Sequence, residues 1–331
     1  MEKFRAFRLT EVERKIDARF VECTLDELDP GAVVVRVAYS SVNYKDALAA
    51  TGKGRILRRP SCIGGIDFSG TVVSSSDPRF AKGDSVVTVS GEFVGVSNDG
   101  GYAPYARVNG DWLSKVPRGL SLWEAMALGT AGYTAGVAVA RMEHNGLKPA
   151  NGPVIVSGAT GGVGSVAIAA LAGLGYHVVA LTGKAQESDW LKRLGAKEIK
   201  LRSDLDLQKI RPLDKAIWAG AVDNLGGPVL AWMASTMKEN GVIGAVGLAA
   251  SSELHTWVQP YILRGVSLLG INSGSPSDDV RERVWRRLGS DMKPPLLKEM
   301  ARTISFSELP SVFGDFIDGK VSRRIVVDLS E

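Results

Sequence analysis

The chain has 331 residues, of which 45% are apolar and 23% charged, so it is long enough for about two globular domains. This composition excludes a disordered or fibrous protein. Lys and Arg number 40 against 36 Asp and Glu, which gives a formal net charge of +4. Because the basic residues are spread along the chain, we expect no nucleic-acid partner, and an anionic small ligand is compatible with the charge.

Cys23 and Cys62 are the only cysteines, too few for a disulfide framework or a four-thiolate zinc site. The first residues are charged and show no apolar run typical of a signal peptide, so we expect a cytoplasmic protein. The uncharged stretch 149–183 is interrupted by glycines into a strand, a helix and a strand. We therefore expect no membrane span there.

Residues 4–108 predict a mostly β domain, with β-branched runs at 32–37, 70–73 and 84–89 separated by polar turns. Near residue 121 the pattern changes, because Ser121 and Glu124 form a capping box ahead of a helix over 125–141. Strands then alternate with helices, which predicts a parallel sheet covered by helices. The predicted strands are 154–157, 177–181, 197–201, 216–219, 241–246 and 266–271, and the helices are 162–174, 188–194 and 229–237. A helix over 281–288 and a strand over 324–327 follow, and we expect this tail to return to the first domain.

The segment 154–164, Val-Ile-Val-Ser-Gly-Ala-Thr-Gly-Gly-Val-Gly, predicts a nucleotide-binding loop. A buried strand runs into a glycine-rich turn that begins a helix, so free N–H groups and the positive end of the helix dipole face the turn. A glycine triplet alone is weak evidence and is also compatible with a tight structural turn. Here the strand, the helix and the next strand complete a βαβ unit, which favours a dinucleotide.

The second strand ends in Thr182-Gly183-Lys184, where NAD-preferring sites usually place an acidic residue. A lysine attracts a 2′-phosphate that a carboxylate would repel, so the sequence favours NADPH, with Arg202 as a second cation. The alternative is that Lys184 is an ordinary solvated lysine.

Several catalytic classes lack support. The three histidines, His144, His177 and His255, are not paired with a second His or Cys at a metal-binding spacing, so we expect no metal. A Gly-x-Ser-x-Gly elbow in a hydrolase context is absent. No tyrosine is followed four residues later by lysine, as the short-chain dehydrogenases would require.

The order of parts resembles the medium-chain dehydrogenase/reductase superfamily over the whole chain. Segments 40–48 (SSVNYKDAL) and 64–70 (GGIDFSG) occupy the places where zinc-dependent members have a Cys and a Gly-His-Glu segment. The resemblance implies an α/β fold: a GroES-like β-rich catalytic domain over 1–125 and 274–331, with an inserted Rossmann domain over 126–273 that binds NADPH in a doubly wound parallel sheet. It also implies an active site in the cleft between the domains, and a homodimer formed through 266–271.

Within that superfamily, NYKDAL, TGKG, GIDF and DPRF resemble the YhdH/YhfP-type quinone oxidoreductases, a group that includes the acrylyl-CoA reductases. GDWL, GTAGYTA, WAGA and GLA extend the resemblance. Cys62 and Gly64 stand where the group would have Met and Pro, and 90–101 lacks its tryptophans.

The resemblance implies NADPH-dependent reduction of a short 2-enoyl-CoA, acrylyl-CoA first. A quinone or general enone reductase is the alternative, and a non-enzymatic NADPH-dependent binding protein is a third reading that the intact glycine loop disfavours. Tyr44 and Asn43 are the catalytic candidates. A buried structural tyrosine is an equal alternative for Tyr44, whereas holding the loop is the favoured role of Asn43 and Asp46, and holding the turn that follows is the favoured role of Asp67. The implied cofactor-binding residues are Tyr44, Gly158, Thr160, Gly161, Gly162, Val163, Thr182, Gly183, Lys184, Arg202, Leu248, Ile262 and Ser273.

A short basic loop follows Gly54 and contains Arg55, Arg58 and Arg59. These arginines are candidates to bind the phosphates of CoA. The alternative is a solvated basic surface.

Overall fold

The computed structural model describes residues 3–89, 93–275 and 277–330, so the segment 90–101 begins outside the described residues. The strands are β1 (Phe4–Val12), β2 (Lys15–Cys23), β3 (Val33–Val42), β4 (Ser61–Ile63), β5 (Phe68–Ser75), β6 (Ser85–Thr88), β7 (Tyr105–Val108), β8 (Ser114–Lys115), β9 (Val154–Ser157), β10 (Val178–Thr182), β11 (Glu198–Leu201), β12 (Trp218–Asp223), β13 (Met237–Ala245), β14 (Ser267–Gly270), β15 (Ala301–Ser305) and β16 (Arg324–Asp328).

The helices are α1 (Tyr44–Thr51), α2 (Leu122–His144), α3 (Gly162–Gly173), α4 (Ser188–Arg193), α5 (Gly227–Ser235), α6 (Gln259–Leu263), α7 (Asp278–Leu288) and α8 (Leu309–Ile317). Helix α2 is interrupted at Gly129, whose φ of 52° and ψ of −159° are not helical. Across the described ranges, no helix combines the length and the apolar character that crossing a bilayer requires.

The chain forms two compact units. The first comprises the residues up to Thr130, Gly274–Glu282 and the residues from Leu297 onward, and the second comprises Ala131–Ser273 and Arg283–Leu296. This division differs from the predicted domain ranges in two segments, because residues 126–130 belong to the first unit and residues 283–296 pack with the second. There Trp285 is buried and stacks on Tyr133, with ring centroids 5.5 Å apart.

The second unit contains a six-stranded sheet in its described residues, in the order β11-β10-β9-β12-β13-β14. Every neighbouring pair in this sheet is parallel. All four residues of β9 are fully buried, as expected for a strand covered on both faces. The chain leaves β9 first toward β10 and then returns to its other side at β12, so the strand order reverses beside β9, where such sheets bind ligands.

The first unit is built from sheets whose described strand pairs are antiparallel, except for the parallel pair of β15 and β16. Among its described residues, β2, β1 and β4 form one sheet, and β15, β16, β3, β5, β6 and β8 follow each other in a second, to which β7 is added by pairing with β3. Phe7, Phe68 and Phe313 lie in the core of this unit, with at most 4% of their surface exposed. In the first half of β3, Val33, Val35 and Val37 are buried whereas Val34 and Arg36 between them are more exposed, as expected for a strand with one face on the core.

Two local expectations were wrong. The helix over 229–237 ends at Ser235, because the hydroxyl of Thr236 donates to the carbonyl oxygens of Trp232 and Met233 at 2.8 and 3.1 Å and so satisfies the helix end. Met237 belongs instead to the following strand. The strand expected over 216–219 begins at Trp218 and extends to Asp223.

Candidate functional site

The glycine-rich turn between β9 and α3 has a geometry that only glycine satisfies at two positions. Gly158 has a φ of +58°, in the left-handed region that favours glycine. A Cβ built on Gly164 would lie 2.4 Å from the carbonyl oxygen of Gly158. The N–H of Gly161 donates to the same oxygen at 2.9 Å, which closes the turn. The turn therefore disfavours a side chain at these two positions, and the backbone is bare there.

Helix α3 begins directly after this turn, with Gly161 as the residue before its first turn. The N–H of Ser165 makes the first helical bond, to the carbonyl of Gly161 at 2.9 Å. By helix geometry the N–H groups of Gly162, Val163 and Gly164 have no carbonyl partner within the helix. These donors and the positive end of the dipole fit a diphosphate group. The predicted loop is thus built as a dinucleotide cradle requires.

A buried carboxylate, missed in the sequence reading, braces the cradle from the neighbouring strand. Asp223 ends β12, is fully buried, and accepts the hydroxyl of Ser157 at 2.7 Å. It also accepts the N–H groups of Leu225 and Gly226 at 3.2 and 2.7 Å. Burial raises the pKa of Asp223 above its ordinary value. The signal available in the sequence was an Asp at the carboxyl end of a buried strand.

The predicted phosphate-selecting residues follow two adjacent strands. Thr182 ends β10 opposite Leu201, the last residue of β11, so Gly183 and Arg202 leave the sheet side by side. A Cβ built on Gly183 would lie 3.6 Å from Nη2 of Arg202. The hydroxyl of Thr182 accepts the N–H of Lys184 at 3.0 Å, which fixes the turn. The structure thus brings Thr182, Gly183, Lys184 and Arg202 together at one end of the sheet.

Three further predicted cofactor residues lie elsewhere on the second unit. Leu248 follows β13 with 67% of its surface exposed, and its Cα is 3.4 Å from a Cβ built on Gly226. Ser273 shares a hydrogen bond of 2.7 Å with the hydroxyl of Thr134. Ile262 lies on α6 and is 71% exposed. Leu248 therefore lies beside the loop that Asp223 holds, whereas Ile262 belongs to an apolar surface described below.

The first unit contains a buried cluster of polar side chains that includes Asn43, one of the two predicted catalytic residues. Asp67 is fully buried, and its Oδ2 accepts Ser41 Oγ at 2.7 Å, Asn43 Nδ2 at 2.8 Å and the backbone N–H of Thr130 at 2.8 Å. Its Oδ1 accepts the hydroxyl of Thr130. We call Ser41, Asn43, Asp46, Asp67, Thr130 and Arg324 the Asp67 cluster.

Arg324 supplies the positive charge of the Asp67 cluster from the first residue of β16, and it is 6% exposed. Its Nη1 donates to Asn43 Oδ1 and its Nη2 to Ser41 Oγ, both at 3.0 Å, and Nη2 lies 3.8 Å from Asp67 Oδ2. The sequence reading placed Arg324 in a strand without a role. An arginine at the start of an otherwise apolar predicted strand was the signal that pointed to a buried partner.

Asp46 is the second carboxyl group of the Asp67 cluster. Its Oδ2 accepts the backbone N–H of Asn43 at 2.9 Å, and its Oδ1 accepts the N–H of Ile66 at 3.0 Å. Burial, with the negative charge of Asp67 second, raises the pKa of Asp46 to about 7. Asp46 and Asp67 therefore hold the loop and the following turn, the roles that the sequence favours for them.

The two catalytic candidates differ in exposure although they are adjacent. Asn43 is 6% exposed, and both ends of its amide bind protein groups in the Asp67 cluster. Tyr44 is the first residue of α1 and is 54% exposed, so the reading of Tyr44 as a buried structural residue does not fit. The exposed phenol of Tyr44 therefore directly follows a residue whose side chain is held by hydrogen bonds.

Arg59 in the basic loop forms an ion pair with Asp29. Arg59 Nη1 donates to Asp29 Oδ2 at 2.5 Å and is half-buried, so this side chain ties the loop to the chain before β3. The side chains of Arg55 and Arg58 are exposed. Arg55 and Arg58 are therefore the members of this loop that reach solvent.

Two family models match the chain. The model described as the alcohol dehydrogenase GroES-like domain matches residues 29–118, and the model described as zinc-binding dehydrogenase matches residues 162–290. Despite the second description, the part of the chain that the structure describes contains no group of three or more His, Cys, Asp or Glu residues placed to hold a metal ion.

Relatives match nearly the whole chain. A Bacillus subtilis protein, YhfP, provisionally named a quinone oxidoreductase, is 48% identical over 305 residues, which are 92% of each chain. The acrylyl-CoA reductase AcuI of Ruegeria pomeroyi is 45% identical over 96% of each chain.

Solved structures of two such proteins have the same fold as this chain. The crystal structure of B. subtilis YhfP with NAD bound superposes with a TM-score of 0.97 at 44% identity, over 99% of this chain and 100% of that one. The YhdH oxidoreductase of Salmonella enterica in complex with NADP gives 0.94 at 42%, over 98% and 99%. The predicted fold class, GroES-like plus Rossmann, is confirmed. The chain therefore belongs to the medium-chain dehydrogenase/reductase family, in the zinc-free group of YhfP, YhdH and the acrylyl-CoA reductases, and is an oxidoreductase.

Proposed function

We propose that this oxidoreductase reduces the C=C bond of a short 2-enoyl-CoA with NADPH, converting acrylyl-CoA to propionyl-CoA. The observation that carries the substrate is the 45% identity to the Ruegeria acrylyl-CoA reductase across 96% of both chains. A relative of this identity over this length shares the fold, and the residues of the glycine turn and the Asp67 cluster support the proposed reaction as described next.

The cofactor is held by the second unit. The backbone N–H groups at the start of α3 bind the diphosphate, and Lys184 and Arg202 bind a 2′-phosphate, for which a carboxylate would be repulsive. The NADP complex of YhdH supports NADPH, whereas the NAD complex of YhfP makes cofactor choice a point to measure. When bound, the cofactor supplies the hydride that adds to the β-carbon of the enoyl group.

The chain's own donors act on the thioester oxygen. Addition at the β-carbon moves an electron pair toward that oxygen, and a hydrogen-bond donor placed there lowers the barrier. We assign this donation to the hydroxyl of Tyr44, which is exposed, and we assign Asn43 to holding the start of α1. The α-carbon then takes a proton, from Tyr44 or from solvent. The predicted contact of Tyr44 with the cofactor stays a prediction.

The CoA portion requires cations away from the reacting carbons. We propose that Arg55 and Arg58, which are exposed on the basic loop, bind CoA phosphates. Arg59 supports that loop through Asp29. Binding energy gained there contributes to the affinity for the thioester and distinguishes it from free acrylate.

Reduction of quinones is the second candidate, and the 48% identity to YhfP favours it. Both reactions use the same hydride donor and differ in the electrophile. The purified protein should be assayed for NADPH oxidation with acrylyl-CoA, acrylate and 1,4-benzoquinone. We expect acrylyl-CoA to give the highest kcat/KM by at least tenfold, and an equal or higher value for the quinone would replace the thioester assignment.

We also propose a cytoplasmic homodimer. Both cysteines are free thiols, as reducing compartments keep them. β14 is the last strand in the order of its sheet, and the exposed apolar residues Val258, Ile262 and Leu263 precede it on the same segment. Such an edge pairs readily with a second copy. Light scattering should give the mass of a dimer, and a monomer at all concentrations would refute the assembly.

A further inference from the structure

Asn43, the residue that precedes Tyr44, is held by more hydrogen bonds than a loop residue normally makes. Asn43 Oδ1 accepts from Arg324 at 3.0 Å, while Nδ2 donates to Asp67 at 2.8 Å and to Asp46 at 3.2 Å. Its backbone N–H also binds Asp46 at 2.9 Å. The position from which α1 and the Tyr44 side chain begin is therefore set by three ionisable side chains.

The carboxylate of Asp67 cannot rotate without losing several bonds. Ser41, Asn43 and the backbone of Thr130 all donate to its Oδ2, and the hydroxyl of Thr130 donates to Oδ1. Charge-assisted hydrogen bonds of this kind are roughly twice as strong as neutral ones. Asp67 thus holds the end of β3 and the start of α1 in one orientation.

The interruption of α2 is part of the same arrangement. Arg324 Nε donates to the carbonyl of Ala127 at 3.4 Å, on one side of Gly129, and Asp67 accepts the N–H of Thr130 on the other side. Two side chains of opposite charge thus bind backbone groups on both sides of the interruption of α2.

Stability alone is a weak reason for burying two carboxyl groups and a guanidinium, because their desolvation consumes most of what their attraction gains. We propose that Ser41, Asp67 and Arg324 are positioning residues that, through Asn43, fix the direction in which Tyr44 presents its hydroxyl to the reacting thioester. This role rests on the proposed function of Tyr44.

Two adjacent buried serines provide a matched test. Ser41 Oγ donates to the Asp67 carboxylate at 2.7 Å, whereas Ser40 Oγ donates to the backbone carbonyl of Asp67 at 2.6 Å, and both residues are fully buried. Ser41→Ala should lower kcat for acrylyl-CoA about tenfold with little change in KM. Ser40→Ala should cause a similar loss of thermal stability and leave kcat within about twofold of wild type. Equal effects of the two substitutions on kcat would overturn the proposal.

A double-mutant cycle separates positioning of Tyr44 from a general loss of structure. Tyr44→Phe removes the hydroxyl, and adding Ser41→Ala to it should lower kcat no further. Multiplied effects, or an unchanged kcat in Tyr44→Phe, would overturn the proposal. If Ser41→Ala does not fold, Thr130→Val removes another donor to Asp67 and carries the same expectations. Wild-type turnover is measured first: a protein that reduces only 1,4-benzoquinone refutes the substrate, and the cycle is then run on that quinone.

Discussion

Gly164→Ala tests the cradle directly, because the obstacle to a side chain there is backbone. A Cβ at this position would lie 2.4 Å from the carbonyl oxygen of Gly158 and 2.9 Å from Cα of Ala159, and ordinary contact begins at 3.4 Å. The Gly158 carbonyl cannot move away freely, since it also accepts the N–H of Gly161 at 2.9 Å. Relief of an overlap of about 1 Å costs about 1–3 kcal/mol and opens the turn.

Gly173→Ala is the control, because it lies at the other end of the same helix. A Cβ on Gly173 meets nothing closer than the carbonyl of Asp291 at 3.8 Å, so the substitution should raise stability by about 0.5–1 kcal/mol through helix propensity. Urea denaturation measures stability, and NADPH fluorescence measures binding. Gly164→Ala should lower both, with NADPH affinity falling at least tenfold. A Gly164→Ala protein that binds NADPH as the wild type does would refute the assignment of the cradle.

Three further outcomes are expected. Lys184→Ala should weaken the binding of NADPH at least tenfold and leave the binding of NADH unchanged in fluorescence titrations, because one charge-assisted hydrogen bond is worth about 1.5–3 kcal/mol. Equal weakening of the binding of both cofactors would show that this lysine does not bind the 2′-phosphate. Because the pKa of Asp46 is raised from 3.8 to about 7, the folded state binds more protons than the unfolded state over that pH range. The free energy of unfolding should therefore fall as pH rises through the range, by at most about 1.4 kcal/mol per pH unit. Asp46→Asn should flatten the dependence of the urea midpoint on pH, and an unchanged slope would contradict the assignment. Gly129→Ala should destabilise the protein more than Gly146→Ala, because its Cβ would lie 2.4 Å from Arg324, whereas a Cβ on Gly146, where φ is also positive, has no atom within 4 Å. Equal urea midpoints of the two variants would contradict this expectation.

Local patterns in the sequence predicted the second unit well. The strand over 154–157 and the helix start at Gly162 agree with β9 and α3, because a buried β-branched run and a glycine turn are set by neighbouring residues. Helix α1 was not predicted, since its eight residues are too short for a clear helical period. The turn that suits a diphosphate was predicted from the glycines together with the βαβ unit that contains them.

The Asp67 cluster could not be predicted in the same way. Ser41, Asp67, Thr130 and Arg324 come from four separated segments, and their hydrogen bonds exist only once the sheets have formed. A single sequence contains no pattern that joins residues at such distances. Their separate signals were an arginine at the start of an otherwise apolar strand and an aspartate in a glycine-rich turn, which indicate structural roles as readily as functional ones.

Transfer of a labelled hydride is the measurement that tests the proposed reaction most directly. The protein is incubated in ordinary water with acrylyl-CoA and NADPH that carries deuterium at the transferable position of the nicotinamide, and the product is analysed by mass spectrometry and NMR. We predict propionyl-CoA with one deuterium on the β-carbon and an unlabelled proton added at the α-carbon. Deuterium at the α-carbon, or NADPH oxidation without propionyl-CoA, would contradict the reaction.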